Sequence, residues 1–165
     1  MTTKKERGDK RSAKFNGKKT VIGTEELRGY YFAHGDHGAG SKFNKTVEKI
    51  AEYCRVEVSK EVYKLILYGE EAEFPEVEEP SGSKPSAAKM KIFEMDYKRR
   101  LEKQESYIKE KCKAFGIIMG QCLELAKEAV KSDKSIKKLE EDDNVKGLLG
   151  LLRDLCYGTD KKRYV

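Results

Sequence analysis

Apolar residues recur at helical spacing through most of the second half of the chain. Met90, Phe93, Tyr97, Leu101, Gln104, Ile108, Phe115, Ile118, Cys122, Leu125 and Ala129 succeed one another at three-, four- and seven-residue steps, the repeat of one helix face. An unbroken helix from Ala87 to Val130 would run roughly 65 Å at ~1.5 Å per residue. That is too long for a body of this size, so a break or a long projecting helix is expected, with Glu110–Gly116 as the weak point.

Shorter stripes stand on either side. Phe43, Val47, Ile50, Ala51 and Cys54 predict a helix over Ser41–Cys54 with Ser41 as N-cap. Val58, Val62, Leu65 and Ile66 predict another over Ser59–Tyr68, or a continuation of the first that bends near Arg55. Val145, Leu148, Leu149, Leu152 and Leu155 predict a last helix, capped by Asp142 or Asp143 and ended by Gly158. Ser135–Glu141 adds one short turn. The expected core is Phe43, Val47, Ile50, Phe115, Ile118, Met119, Leu148, Leu152 and Leu155.

Two stretches lack any such period. Phe15–Phe43 mixes glycines with Phe15, Val21, Ile22, Leu27, Tyr30, Tyr31 and Phe32, which predicts an irregular arm docking its aromatics on the core, with a short strand or hairpin at Tyr30–Ala33. Glu70–Pro85 holds six acids and three prolines. Proline removes a backbone donor and fixes φ, so an exposed acidic linker is expected over about 70–85. The fold class is therefore all-α: a small domain with long helices over residues 20–165, preceded by a tail.

Charge changes the picture at the N-terminus. Lys4, Lys5, Arg7, Lys10, Arg11, Lys14, Lys18 and Lys19 face only Glu6 and Asp9, so residues 1–19 carry the whole net charge of +6. The rest balances at 27 bases and 27 acids. Almost without apolar side chains, this tail cannot offset the entropy of ordering and is expected to be disordered. Such an arm binds polyanions by releasing counterions; the same charges also suit a solvated tail that aids solubility.

The most apolar run, "KCKAFGIIMGQCLELA", Lys111–Ala126, carries Gly116 and Gly120 four residues apart. Lys113 and Glu124 bracket fewer apolar residues than the ~20 that a membrane span needs. A phosphate loop would put Lys-Ser/Thr after its second glycine, where Gln121 and Cys122 stand. The small-xxx-small spacing instead predicts a buried helix whose glycines admit a second backbone.

Together with the leucine-rich segment that ends at Gly158, this run, "FGIIMGQCLELAKEAV…DNVKGLLGLLRDLCYG", resembles the Gag-like region of copia-type LTR retrotransposons, the microalgal kind in particular. "KFNG", "ELRGYYF", "FNKTVEKIAEYC" and the Glu/Pro-rich stretch agree with it, so the similarity covers roughly Lys14–Tyr157. Ile118-Met119-Gly120-Gln121-Cys122 is its sharpest element. The resemblance implies a helical capsid-type protein that self-assembles around RNA. The sequence stops at Val165 and lacks a CCHC zinc knuckle, so a truncated element, a fragment and a domesticated copy all remain open.

Candidate chemistry is sparse. His34, Asp36 and His37 in "AHGDHGAG" offer three metal donors, but the glycines around them give no rigid frame and no fourth donor is at hand; a turn with solvated histidines is the expectation. Glu94, Asp96, Glu102 and Glu105 sit among Lys98, Arg99 and Arg100 at spacings of a salt-bridged solvated face. Cys54, Cys112, Cys122 and Cys156 lack CxxC pairing and read as reduced thiols in helical surroundings, which suits a cytosolic or nuclear protein. No catalytic residues, metal, cofactor, membrane segment or small-molecule substrate is expected. Two functions fit these features: a self-associating structural protein that packages RNA, or a nucleic-acid-binding module working through the arm without assembly.

Overall fold

The stripes of apolar residues become helices, and their caps differ from those the sequence suggests. A computed structural model describes residues 23–35 and 38–161, with side chains through residue 158. Among them the chain is all-α. A 3₁₀ turn at Glu25–Leu27 precedes α1 (Ala39–Glu57), α2 (Lys60–Tyr68), α3 (Ala87–Gly120), α4 (Glu124–Lys131), α5 (Ile136–Glu141) and α6 (Val145–Lys161). The basic tail expected to be disordered, residues 1–19, lies outside the described residues.

Helix α6 is the centre of the body and touches each of the other five. Leu148 and Leu152 on its inner face meet a core that includes Ile50, Cys54, Val62, Leu65 and Ile118, all buried. Of the expected core, Val47, Met119 and Leu155 are only partly buried at its rim. Burial of an aliphatic side chain contributes about 1.5–3 kcal/mol, so this cluster supplies most of the drive to fold.

Local hydrogen bonding sets the boundaries. Helix α1 begins at Ala39 after Gly38 in the left-handed region (φ 80°). Ser41 is therefore not the cap; it sits in the first turn and its hydroxyl donates to Gly38 O at 2.8 Å. Ser59 and Ser86 do cap α2 and α3, accepting from Val62 N and Lys89 N. Asp143 has a φ of 46°, which leaves the capping of α6 to Asn144, whose Oδ1 accepts from Gly147 N at 2.8 Å. Gly158 does not end α6, since it lacks the positive φ of a terminating glycine.

Helix α3 runs 34 residues, about 51 Å. It passes through Glu110–Gly116 unbroken and stops at Gly120, correcting the expected weak point. Residues 69–86 form no helix, yet the segment is not simply exposed. Phe74 packs on Tyr107 with centroids 5.6 Å apart, Tyr107 Oη donates to Glu71 at 2.7 Å, and Arg100 Nε donates to Phe74 O at 3.1 Å.

Candidate functional site

The end of α3 shows what the Gly-Gln-Cys element does. Gln121 N is drawn to both Ile117 O and Ile118 O, and Cys122 N to Met119 O, tightening the last turn. Leu123 N then donates to Phe32 O, and Phe32 N to Gln121 O, each at 2.9 Å. These two bonds are a single parallel bridge between Phe32 and Cys122; the strand expected at Tyr30–Ala33 shrinks to that. With its Leu123 donor taken by a segment from the N-terminus, the helix cannot continue.

The Gln121 side chain is fully buried and fully used. Its Oε1 accepts from Thr24 N at 2.9 Å, and its Nε2 donates to Leu27 O at 3.1 Å and Tyr30 O at 2.8 Å. One amide thus ties down three backbone groups of the irregular arm, which seats Leu27 and Phe32 in the core as expected. Gly23, at φ +74°, clears the space: a Cβ there would overlap Gln121 Oε1.

The two glycines do not act as a pair. A Cβ on Gly116 would meet nothing within 4 Å, and the residue is exposed; the close helix approach expected there is absent. At Gly120 a Cβ would lie 3.9 Å from Gly23 Cα, an ordinary contact with the loop. Four residues apart, Gly116 lies about 6 Å back along nearly the same side of the helix, and the loop that meets Gly120 does not reach it.

Cys54, Cys122 and Cys156 are buried in the core and Cys112 is exposed. Burial pushes the Cys54 and Cys122 thiols up to about 12 and Cys156 up to about 11. They are unsuited to nucleophilic work at neutral pH. His34 Nδ1 donates to Leu155 O at 3.1 Å, a packing role, while Asp36 and His37 lie outside the described residues. No group of three metal-donor side chains occurs among the described residues. Of Glu94, Asp96, Glu102 and Glu105, Asp96 makes an ion pair, with Arg99 at 4.0 Å on open surface; a pair so exposed contributes little.

Two surface features remain. One is a cleft of about 670 Å³ between α2, residues 70–75 and α3, lined by Lys64, Glu71, Phe74, Arg99, Arg100 and Lys103 among others. Its charges are mixed. The other is the outer part of α3, where Met90, Ile92, Met95, Tyr97, Leu101 and Ile108 are all exposed, Ile92 to 60% and Ile108 to 58%. The apolar stripe expected along this helix is present, and the fold leaves its outer part uncovered. No helix among the described residues is long and apolar enough to cross a membrane. Lys4, Lys5, Arg7, Lys10, Arg11, Lys14, Lys18 and Lys19 lie outside the described residues. The chain matches no known protein family, no curated protein and no solved structure.

Proposed function

We propose that this chain is a structural protein of the Gag-like kind, which self-associates through its helical body and holds RNA on the basic arm, without catalysis. The observation that carries the reading is the outer part of α3. Six large apolar side chains stand in solvent there, on a helix whose inner end is anchored in the core by Ala114, Phe115 and Ile118. Four of the six, Met90, Tyr97, Leu101 and Ile108, share one side of the helix, and a contiguous exposed apolar stripe marks an interaction site. Balanced charge over residues 20–165 weakens the long-range repulsion that would hold copies apart. The eight cations of the arm supply polyanion affinity that raises local concentration.

Light scattering of the full-length protein over a wide concentration range, with and without RNA, tests this. Mass should rise with concentration in the absence of RNA, and RNA should shift the rise to lower concentration. A strict monomer without RNA would overturn the assembly and leave the binding module. In the chain lacking residues 1–19, RNA affinity should be lost while concentration-dependent mass persists.

A further inference from the structure

The charges beside the exposed stripe of α3 say which second surface fits it. Met90, Phe93, Tyr97, Leu101, Ile108 and Cys112 succeed one another at steps of three, four, four, seven and four residues, one side of a 3.6-residue helix. Positions 90, 101 and 112 are eleven apart, as are 97 and 108, so the stripe runs almost straight along the axis. Lys89, Arg100 and Lys111 lie along one flank at the same eleven-residue interval. Glu94 and Glu105 lie along the other, with Lys98 further round. Each acid stands five residues after a base. Arg100 is held on its flank by the bond from its Nε to Phe74 O.

Two identical helices paired in parallel and in register bring the basic flank of each against the acidic flank of the other. A residue on one flank then reaches the residue five further on across the pair. Lys89 meets Glu94 of the second copy and Arg100 meets its Glu105, each twice by two-fold symmetry. Antiparallel pairing sets base against base and acid against acid, whatever the register. We propose that the outer part of α3 pairs in parallel and in register with α3 of a second copy of this chain, through Met90, Phe93, Tyr97, Leu101 and Ile108. The proposal rests on the self-association reading above and adds its surface, orientation and register. It brings the two Cys112 thiols, exposed on the same face, opposite each other. The remaining three cysteines are buried.

The test uses the full-length protein, reduced and then treated with diamide at a concentration where scattering reports the associated form. Two Cys112 thiols lose two protons and two electrons to diamide and join in one intermolecular disulfide. A covalent dimer is expected on non-reducing electrophoresis, absent from Cys112→Ser and lost from Leu101→Glu. Leu101→Glu and, separately, Tyr97→Glu should weaken association about tenfold or more, with helical circular dichroism retained. Association without the Cys112 link, a link that persists in Leu101→Glu, or association indifferent to both glutamates overturns the parallel pairing and moves self-association to another surface. A monomer at every concentration overturns both readings.

Discussion

The two ends of α3 carry the same hydrophobic repeat in opposite surroundings. At the inner end Ala114, Phe115 and Ile118 are buried, and even the polar Gln121 is enclosed with every hydrogen-bonding group matched. Farther out, Tyr97, Leu101 and Ile108 continue the stripe into solvent. Tyr107, tied to Glu71 and stacked on Phe74, is the last buried residue toward the free end. Periodicity reports that a helix face needs a cover. It does not report whether the cover comes from the same chain.

Substitutions at the two ends should therefore respond in opposite ways. Gln121→Leu strands Thr24 N and Tyr30 O and leaves Leu27 O only its bond from Tyr30 N, and should destabilise the fold by about 2–5 kcal/mol in urea unfolding, since each enclosed group left unmatched costs about 1–3 kcal/mol. Next comes one residue type at two places. Leu148→Ala opens a cavity in the core and should cost about 2–5 kcal/mol, whereas Leu101→Ala at low protein concentration should stay within about 0.5 kcal/mol of the parent. Equal losses would mean that the outer helix is covered within the chain.

Alkaline pH separates the ends again. Cys54 and Cys122 are raised to about 12 and Cys156 to about 11, all by burial. The folded state thus holds these protons more tightly than the unfolded state, whose thiols titrate near 9. Their contribution is complete below pH 9 and declines as pH rises through 9 toward 12, by about 1 kcal/mol per thiol at pH 10. The melting temperature should fall over that range, and Ellman's reagent at pH 8 should find Cys112 alone reactive in the native protein. Smallest is the glycine pair. Gly116→Ala, with open space at its Cβ, should stabilise by about 0.5–1 kcal/mol through helix propensity. Gly23→Ala, at positive φ and against Gln121, should destabilise by at least as much. A loss at Gly116 would restore the close-packing expectation there.

Much of this fold is legible in the stripes. The helices expected at 41–54, 59–68 and 143–157 lie within a few residues of α1, α2 and α6, because each has a face that the core covers. The end of α3 is hidden from such a reading. Its cause is Phe32, which takes the Leu123 donor from far along the chain, and no window of sequence contains both. Gln121 stands out in the sequence only as part of a motif. A lone amide directly after a glycine in an apolar run signals a buried polar hub, yet its partners, backbone groups of an irregular arm, leave no residue-type signature. The capping of α6 is misplaced by one or two residues because Asp142, Asp143 and Asn144 are all suitable cap types, and the left-handed Asp143 decides among them.

The Gln121 junction also governs the order in which the protein can be made. Thr24 lies 97 residues before Gln121, and His34 lies 121 before the Leu155 carbonyl it binds. A growing chain emerges N-terminus first at about 5–20 residues per second, so the arm is synthesised long before either anchor. Closing such distant contacts is slow because loop entropy is spent before any contact is made. Until α3 has ended, Gln121 cannot hold Thr24, Leu27 and Tyr30, and the arm has only its contacts with α1, such as Phe32 on Phe43 and the Thr46 hydroxyl on Tyr31 O. The full set of arm contacts is therefore completed only after Leu155 has been synthesised, and a nascent chain halted before it lacks the anchor of His34.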